Sequence, residues 1–123
     1  MSDLNVLVVE DELDGQQVVS RLLGKIELTT ESVGTAEEAI NRLQESRYLG
    51  AVIDLALPGM DGIQLIHAIR RNPETATLPC IAITAYHSSK VKKEVMDAGF
   101  NAYFAKPLET DTFARDLVRF LIH

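Results

Sequence analysis

A chain of 123 residues has room for one compact core and little for a second. Hydrophobic residues make up 46% and charged residues 24%, an ordinary globular composition that excludes disordered and fibrous classes. The formal net charge of -6 argues against nucleic acid as a direct partner, because neutralising phosphates requires clustered Lys and Arg.

At the N-terminus, Met1-Ser2-Asp3-Leu4 offers no basic segment followed by a long apolar stretch. No apolar run approaches bilayer-spanning length, so a cytoplasmic protein without a membrane partner is expected. Asn5–Val9 is a near-continuous apolar run, as expected for a central strand covered on both faces. Val18, Leu22, Leu23 and Ile26 then recur at helical spacing, and Asp14 with Gln17 has the spacing of a capping box. Leu28–Val33 is more polar and suits an edge strand. Thr35 and Glu38 have capping-box spacing before a second helix whose stripe is Ala39, Ile40 and Leu43.

Ala51–Asp54 gives a further buried strand, followed by a helix marked by Ile63, Ile66 and Ile69. Arg70 and Arg71 lie at that helix's negative end, and Asn72-Pro73 stops it. In the next strand, Cys80–Thr84, the single cysteine reads as a small buried hydrophobe. The fourth helix carries Lys90, Lys92 and Lys93 near its start and Asp97 near its end, the reverse of what the helix dipole favours. It should be comparatively soft, and Gly99 should end it. Ala102–Ala105 is the last strand, and a final helix from about Thr110 carries Phe113, Leu117 and Leu121 on one face.

Strand-length runs alternating with helical stretches predict βα units around a doubly wound, five-stranded parallel sheet forming one α/β domain over residues 1–123. In such sheets the site lies at the carboxyl ends of the strands. Glu10 and Asp11 follow the first strand, Asp54 closes the third, Thr84 closes the fourth, and Lys106 follows the last. Clustered carboxylates repel unless something positive sits among them, which a divalent cation and a lysine would provide. The donors are all oxygen, and His67, His87 and His123 show no metal-site spacing, so magnesium fits better than zinc or copper. Mg²⁺ held by carboxylates keeps coordination positions open for a phosphoryl group. Asp54 can then act as nucleophile to give an acyl phosphate, while Lys106 and the Thr84 hydroxyl meet the phosphoryl oxygens.

Taken in order, Val8-Val9-Glu10-Asp11-Glu12, Asp54-Leu55-Ala56-Leu57-Pro58-Gly59-Met60-Asp61-Gly62, Thr84-Ala85 and Lys106-Pro107 resemble the motifs of response-regulator receiver domains, over nearly the whole chain. The resemblance implies a flavodoxin-like sheet of order 2-1-3-4-5 with helices on both faces. It implies phosphorylation of Asp54, and direct Mg²⁺ ligation by Asp11, Asp54 and the Ala56 backbone carbonyl, with Glu10 acting through water. It also implies a cis bond before Pro107, and a switch in which Thr84 moves toward the phosphoryl group and Tyr103 turns inward. The implied donor is a sensor histidine kinase or histidine phosphotransfer protein, and the output a downstream protein target or output domain. Self-phosphorylation and self-dephosphorylation, not turnover of a free substrate, would be the chemistry. Ala56 and Tyr86 hold positions that in this family influence hydrolysis; neither a methyl nor a phenol orients water well, so slow dephosphorylation is expected.

Three other readings compete. A receiver-like interaction module acting without phosphorylation would lack an acid, the Thr or the Lys, and all are present. A flavodoxin-like electron carrier would bind FMN phosphate in the loop after the first strand, where Glu10-Asp11-Glu12 repels it. An aspartate-nucleophile phosphatase would carry an acid two residues after the nucleophile, where Ala56 stands.

Overall fold

The computed structural model describes residues 5–86 and 88–121; His87, His123 and Met1-Ser2-Asp3-Leu4, on which some sequence expectations fell, lie outside them. The elements alternate as β1 (Asn5–Val9), α1 (Leu13–Gly24), β2 (Thr29–Val33), α2 (Ala36–Glu45), β3 (Gly50–Asp54), α3 (Gly62–Arg71), β4 (Cys80–Thr84), α4 (Ser89–Ala98), β5 (Ala102–Ala105) and α5 (Thr110–Leu121). The five strands form one parallel sheet in the order β2-β1-β3-β4-β5, as expected. Among the described residues, no helix is long and apolar enough to cross a membrane.

Strand alternation divides the core into two layers. Val6, Val8, Val52, Ile81 and Ile83 face α1 and α5, meeting Val19, Leu22, Leu23, Phe113, Leu117 and Leu121. Leu7, Val9, Ala51, Ile53, Cys80 and Ala82 face α2, α3 and α4. Both layers are apolar, so β1, β3 and β4 read as unbroken hydrophobic runs in place of alternating ones. β2, at the edge, is more exposed. Cys80 is fully buried, and burial pushes its thiol up to about 11, consistent with a packing role.

Two details of α1 differ from expectation. Asp14 and Gln17 form no capping box: the helix starts at Leu13, and its N-cap, Glu12, makes no side-chain cap bond. Instead the Glu12 N–H donates to Glu10 Oε2 at 3.3 Å, tying the turn to the preceding loop. The buried stripe is Val19, Leu22 and Leu23, whereas Val18 is 39% exposed. Both valines fit a helical period, and docking on Val6 and Val8 selects the second.

The end of α1 is a Schellman-type stop. Leu28 N–H donates to Leu23 O and Glu27 N–H to Gly24 O, each at 3.1 Å, with Glu27 in the left-handed region at φ 65°. Glycine normally holds that position, because a Cβ there costs about 1–2 kcal/mol. Glu27→Gly should therefore stabilise the protein by about 1 kcal/mol, read as a raised urea midpoint at unchanged slope. A lower midpoint would refute this.

The Thr35 hydroxyl caps α2 by accepting the Glu38 N–H at 3.1 Å, but the Glu38 carboxylate reaches Gly34 N–H, one residue short of a reciprocal box. The full capping box is at α3, between Asp61 and Gln64, and the sequence reading had not singled it out. Gly99 ends α4 at φ 123°, as expected. Val95 is the sole buried residue of that helix.

Candidate phosphoacceptor and metal site

Pairing register carries the site residues to one edge of the sheet. Asp54 stands beside Ile83 and Thr84 beside Ala105, so the last residues of β3, β4 and β5 step across the sheet. The Lys106 N–H donates to Thr84 O at 2.8 Å, and the Glu10 N–H to Val33 O at 3.0 Å, which extends the ladder one residue into each loop. The Lys106–Pro107 bond is cis.

Among the described residues, the buried polar or charged ones are Glu10, Asp54 and Thr84. Residues separated by much of the chain thus share one small polar centre within an otherwise apolar core. The Lys106 ammonium bridges the two acids, 2.8 Å from Asp54 Oδ2 and 2.8 Å from Glu10 Oε1. Asp54 Oδ1 accepts the Ala56 N–H at 3.0 Å. Thr84 Oγ1 accepts the Tyr86 N–H at 3.0 Å, which leaves its own hydrogen to donate. Every buried side-chain polar atom among the described residues has a partner.

Glu10, Asp11 and Asp54 each offer an oxygen, all within 4.8 Å of one another. Asp11 is exposed, unlike Glu10 and Asp54. An all-carboxylate set around an open face suits a hard divalent cation. Burial raises the Glu10 pKa, the Lys106 bond lowers it, and the Asp54 charge raises it again, for a net upward shift. Burial pulls Lys106 down, but its bonds to Asp54 and Glu10 and their charges together outweigh this, so it lies above the ordinary lysine value.

A raised carboxyl pKa means that ionised Glu10 destabilises the metal-free fold at pH values above its folded pKa. Glu10→Gln should therefore unfold at higher urea than wild type at pH 7 without metal. That advantage should fade as the pH falls through the folded value toward 4.5, where Glu10 takes up its proton in both states. A pH-independent difference between the two proteins would refute this.

Tyr103 is half-buried and packs on the α2–α3–α4 side of the core. Ala56 and Tyr86 are exposed, Tyr86 at 75%. His67 takes no part in the acidic cluster. Two contributors escaped the sequence reading. Gln16 donates from Nε2 to the Glu10 carbonyl at 2.7 Å, and Arg70, read only as a helix-end charge, ties several loops together.

A doubly wound sheet with buried acids, a threonine and a lysine at its carboxyl edge defines a receiver. The family model for the response regulator receiver domain matches residues 6–117, and the chain belongs to that family. Among curated relatives, it is 36% identical over 106 residues to the two-component response regulator PhoP of Pseudomonas aeruginosa, covering 86% of this chain and 46% of that protein. It spans 83% of another relative but 13% of the histidine-protein kinase BarA of Escherichia coli. A putative response regulator from Chloroflexus aurantiacus superposes with a TM-score of 0.92 at 27% identity, over 97% of this chain and 98% of that one. The receiver domain of sensor histidine kinase PA1611 from Pseudomonas aeruginosa, solved with a magnesium ion coordinated in its active-site cleft, gives 0.87 at 28%, with the same coverage. The chain thus carries a receiver domain of two-component signalling, a class that interacts with histidine kinases and phosphotransfer proteins.

Proposed function

We propose that this receiver is a phosphorylation-dependent switch that accepts a phosphoryl group on Asp54 from a phosphohistidine of a sensor kinase or phosphotransfer protein. The observation that carries this reading is the Lys106 ammonium held 2.8 Å from the buried Asp54 carboxylate, beside two further acids. An Asp54 oxygen attacks phosphorus as the bond to the donor's imidazole nitrogen breaks; the ring, protonated at its other nitrogen, keeps the electron pair of that bond and leaves as neutral imidazole. Lys106 stays beside Asp54 to meet the developing charge, and Thr84 donates its hydroxyl hydrogen to a phosphoryl oxygen. Asp11, Asp54, the Ala56 carbonyl and, through water, Glu10 would hold Mg²⁺, as their donor chemistry and the magnesium-bound relative support. The chemistry supplied by that ion when bound is neutralisation of the phosphoryl oxygens.

The acyl phosphate carries about -1.5 to -2 charges in place of the single charge of the Asp54 carboxylate. Movement of Thr84 toward it frees space for the half-buried Tyr103, which transmits the change to α4 and to a downstream protein or output domain.

Incubation with Mg²⁺ and a small phosphodonor, followed by intact-mass measurement, should show one added phosphoryl group on wild type and none on Asp54→Asn. Mg²⁺ alone should raise unfolding free energy by about 2.7 kcal/mol at a hundredfold excess over its Kd. A folded wild-type protein that takes up no phosphoryl group would instead be an interaction module working without phosphorylation.

A further inference from the structure

Four contacts hold Glu10 in an inward position. Its N–H reaches Val33 O, its carbonyl accepts Gln16 Nε2, its Oε2 accepts the Glu12 N–H, and its Oε1 accepts Lys106. The side chain passes through a slot in the first turn of α1 that a glycine leaves open. A Cβ on Gly15 would lie 2.4 Å from Glu10 Oε1, 2.6 Å from Cδ and 2.8 Å from Cγ. The three nearest atoms all belong to one rotatable side chain, so a methyl there is accommodated by displacing Glu10.

Building on the function proposed above, we propose that Gly15 is a positioning residue whose open slot keeps Glu10 inside the acidic cluster and on Lys106. With the slot filled, the cluster loses one of its three carboxylates and Lys106 is left to Asp54 alone. The loop ahead of α1 thereby sets the charge of a centre whose nucleophile lies on β3. Gly15 and Gln16 act on that centre only through Glu10.

The metal-free test is a double-mutant cycle between Glu10→Gln and Lys106→Met, read by urea unfolding in EDTA. Coupling between the two should be present with Gly15 and lost in the Gly15→Ala background. Coupling that persists with Ala at position 15 overturns the proposal. The second readout is Mg²⁺ titration. Gly15→Ala should bind Mg²⁺ about tenfold more weakly, the effect of one charge removed from a divalent ion at short range in water. Adding Glu10→Gln to Gly15→Ala should weaken binding no further. Gly15→Ser brings the same Cβ with a different helix propensity and must reproduce both changes. A gain in stability with coupling and Mg²⁺ affinity unchanged would mean that position 15 matters only to the helix, and overturns the proposal. Should wild type itself bind no Mg²⁺, the metal reading falls, and the metal-free cycle alone decides the role of Gly15.

Discussion

Lys106→Met is expected to lower the unfolding free energy of the metal-free protein at pH 7 by about 2 kcal/mol. Removing one partner of a fully buried ion pair costs about 3–5 kcal/mol; the lysine side chain is 26% exposed, which moves the expectation below that range. Its carboxylate partners are far better buried, at 1% for Glu10 and 7% for Asp54, so without it they lose a cationic partner where little water can replace it. The pH dependence follows from the direction of the lysine shift. A pKa raised above the unfolded value gives stabilisation fully present below that value, and lost as pH rises through the folded one. Wild type and variant should therefore differ most near neutral pH and converge in strong alkali. At acid pH they should converge in part, because a protonated Glu10 no longer needs a cation. Equal urea midpoints at pH 7 would show that the acids do not depend on the lysine.

A larger loss, about 3 kcal/mol, is expected for Arg70→Met. The Arg70 guanidinium donates from Nε to Gly99 O at 3.0 Å, from Nη1 to Leu78 O at 2.7 Å and Ala76 O at 3.1 Å, and from Nη2 to Asn101 Oδ1 at 3.0 Å. Asn101 Oδ1 in turn accepts the Cys80 N–H at 2.8 Å, so one side chain joins the end of α3, the loop before β4, the cap of α4 and the entry to β5. A methionine would fill the volume and leave those carbonyls without the charged donor. Lysine should rescue little, since a compact ammonium cannot span acceptors arranged for a planar fork. The arrangement also bears on α4, whose far end Arg70 pins while Val95 alone is buried. Amide exchange should be fast in the first half of α4 and slower at its Gly99 end, with the difference erased by Arg70→Met. Uniformly slow exchange along α4 in wild type would count against the soft helix that its charge pattern implies.

The reach of the sequence is clearest where chemistry and period agree. Unbroken apolar runs such as Cys80–Thr84 can be satisfied only in a sheet covered on both faces, and polar residues at the ends of those runs must then gather at one edge. Asp54, Thr84 and Lys106 were legible for that reason. Arg70 was not, because its partners are backbone carbonyls, which any residue supplies and no pattern marks. The capping pair at α1 failed because the turn before it is tied to Glu10 and not to its own cap.

By itself, then, the order of residues determined the α/β class, the parallel sheet and the membership of the polar cluster, since hydrophobic runs and strand ends are properties of the chain. Tertiary structure alone decided which of two adjacent acids is buried: Glu10 turns inward to Lys106 while Asp11 stays exposed. It likewise chose Val19 over Val18, and made a slot of Gly15. Neighbouring residues of like chemistry differ only in direction, and direction exists once the elements have packed.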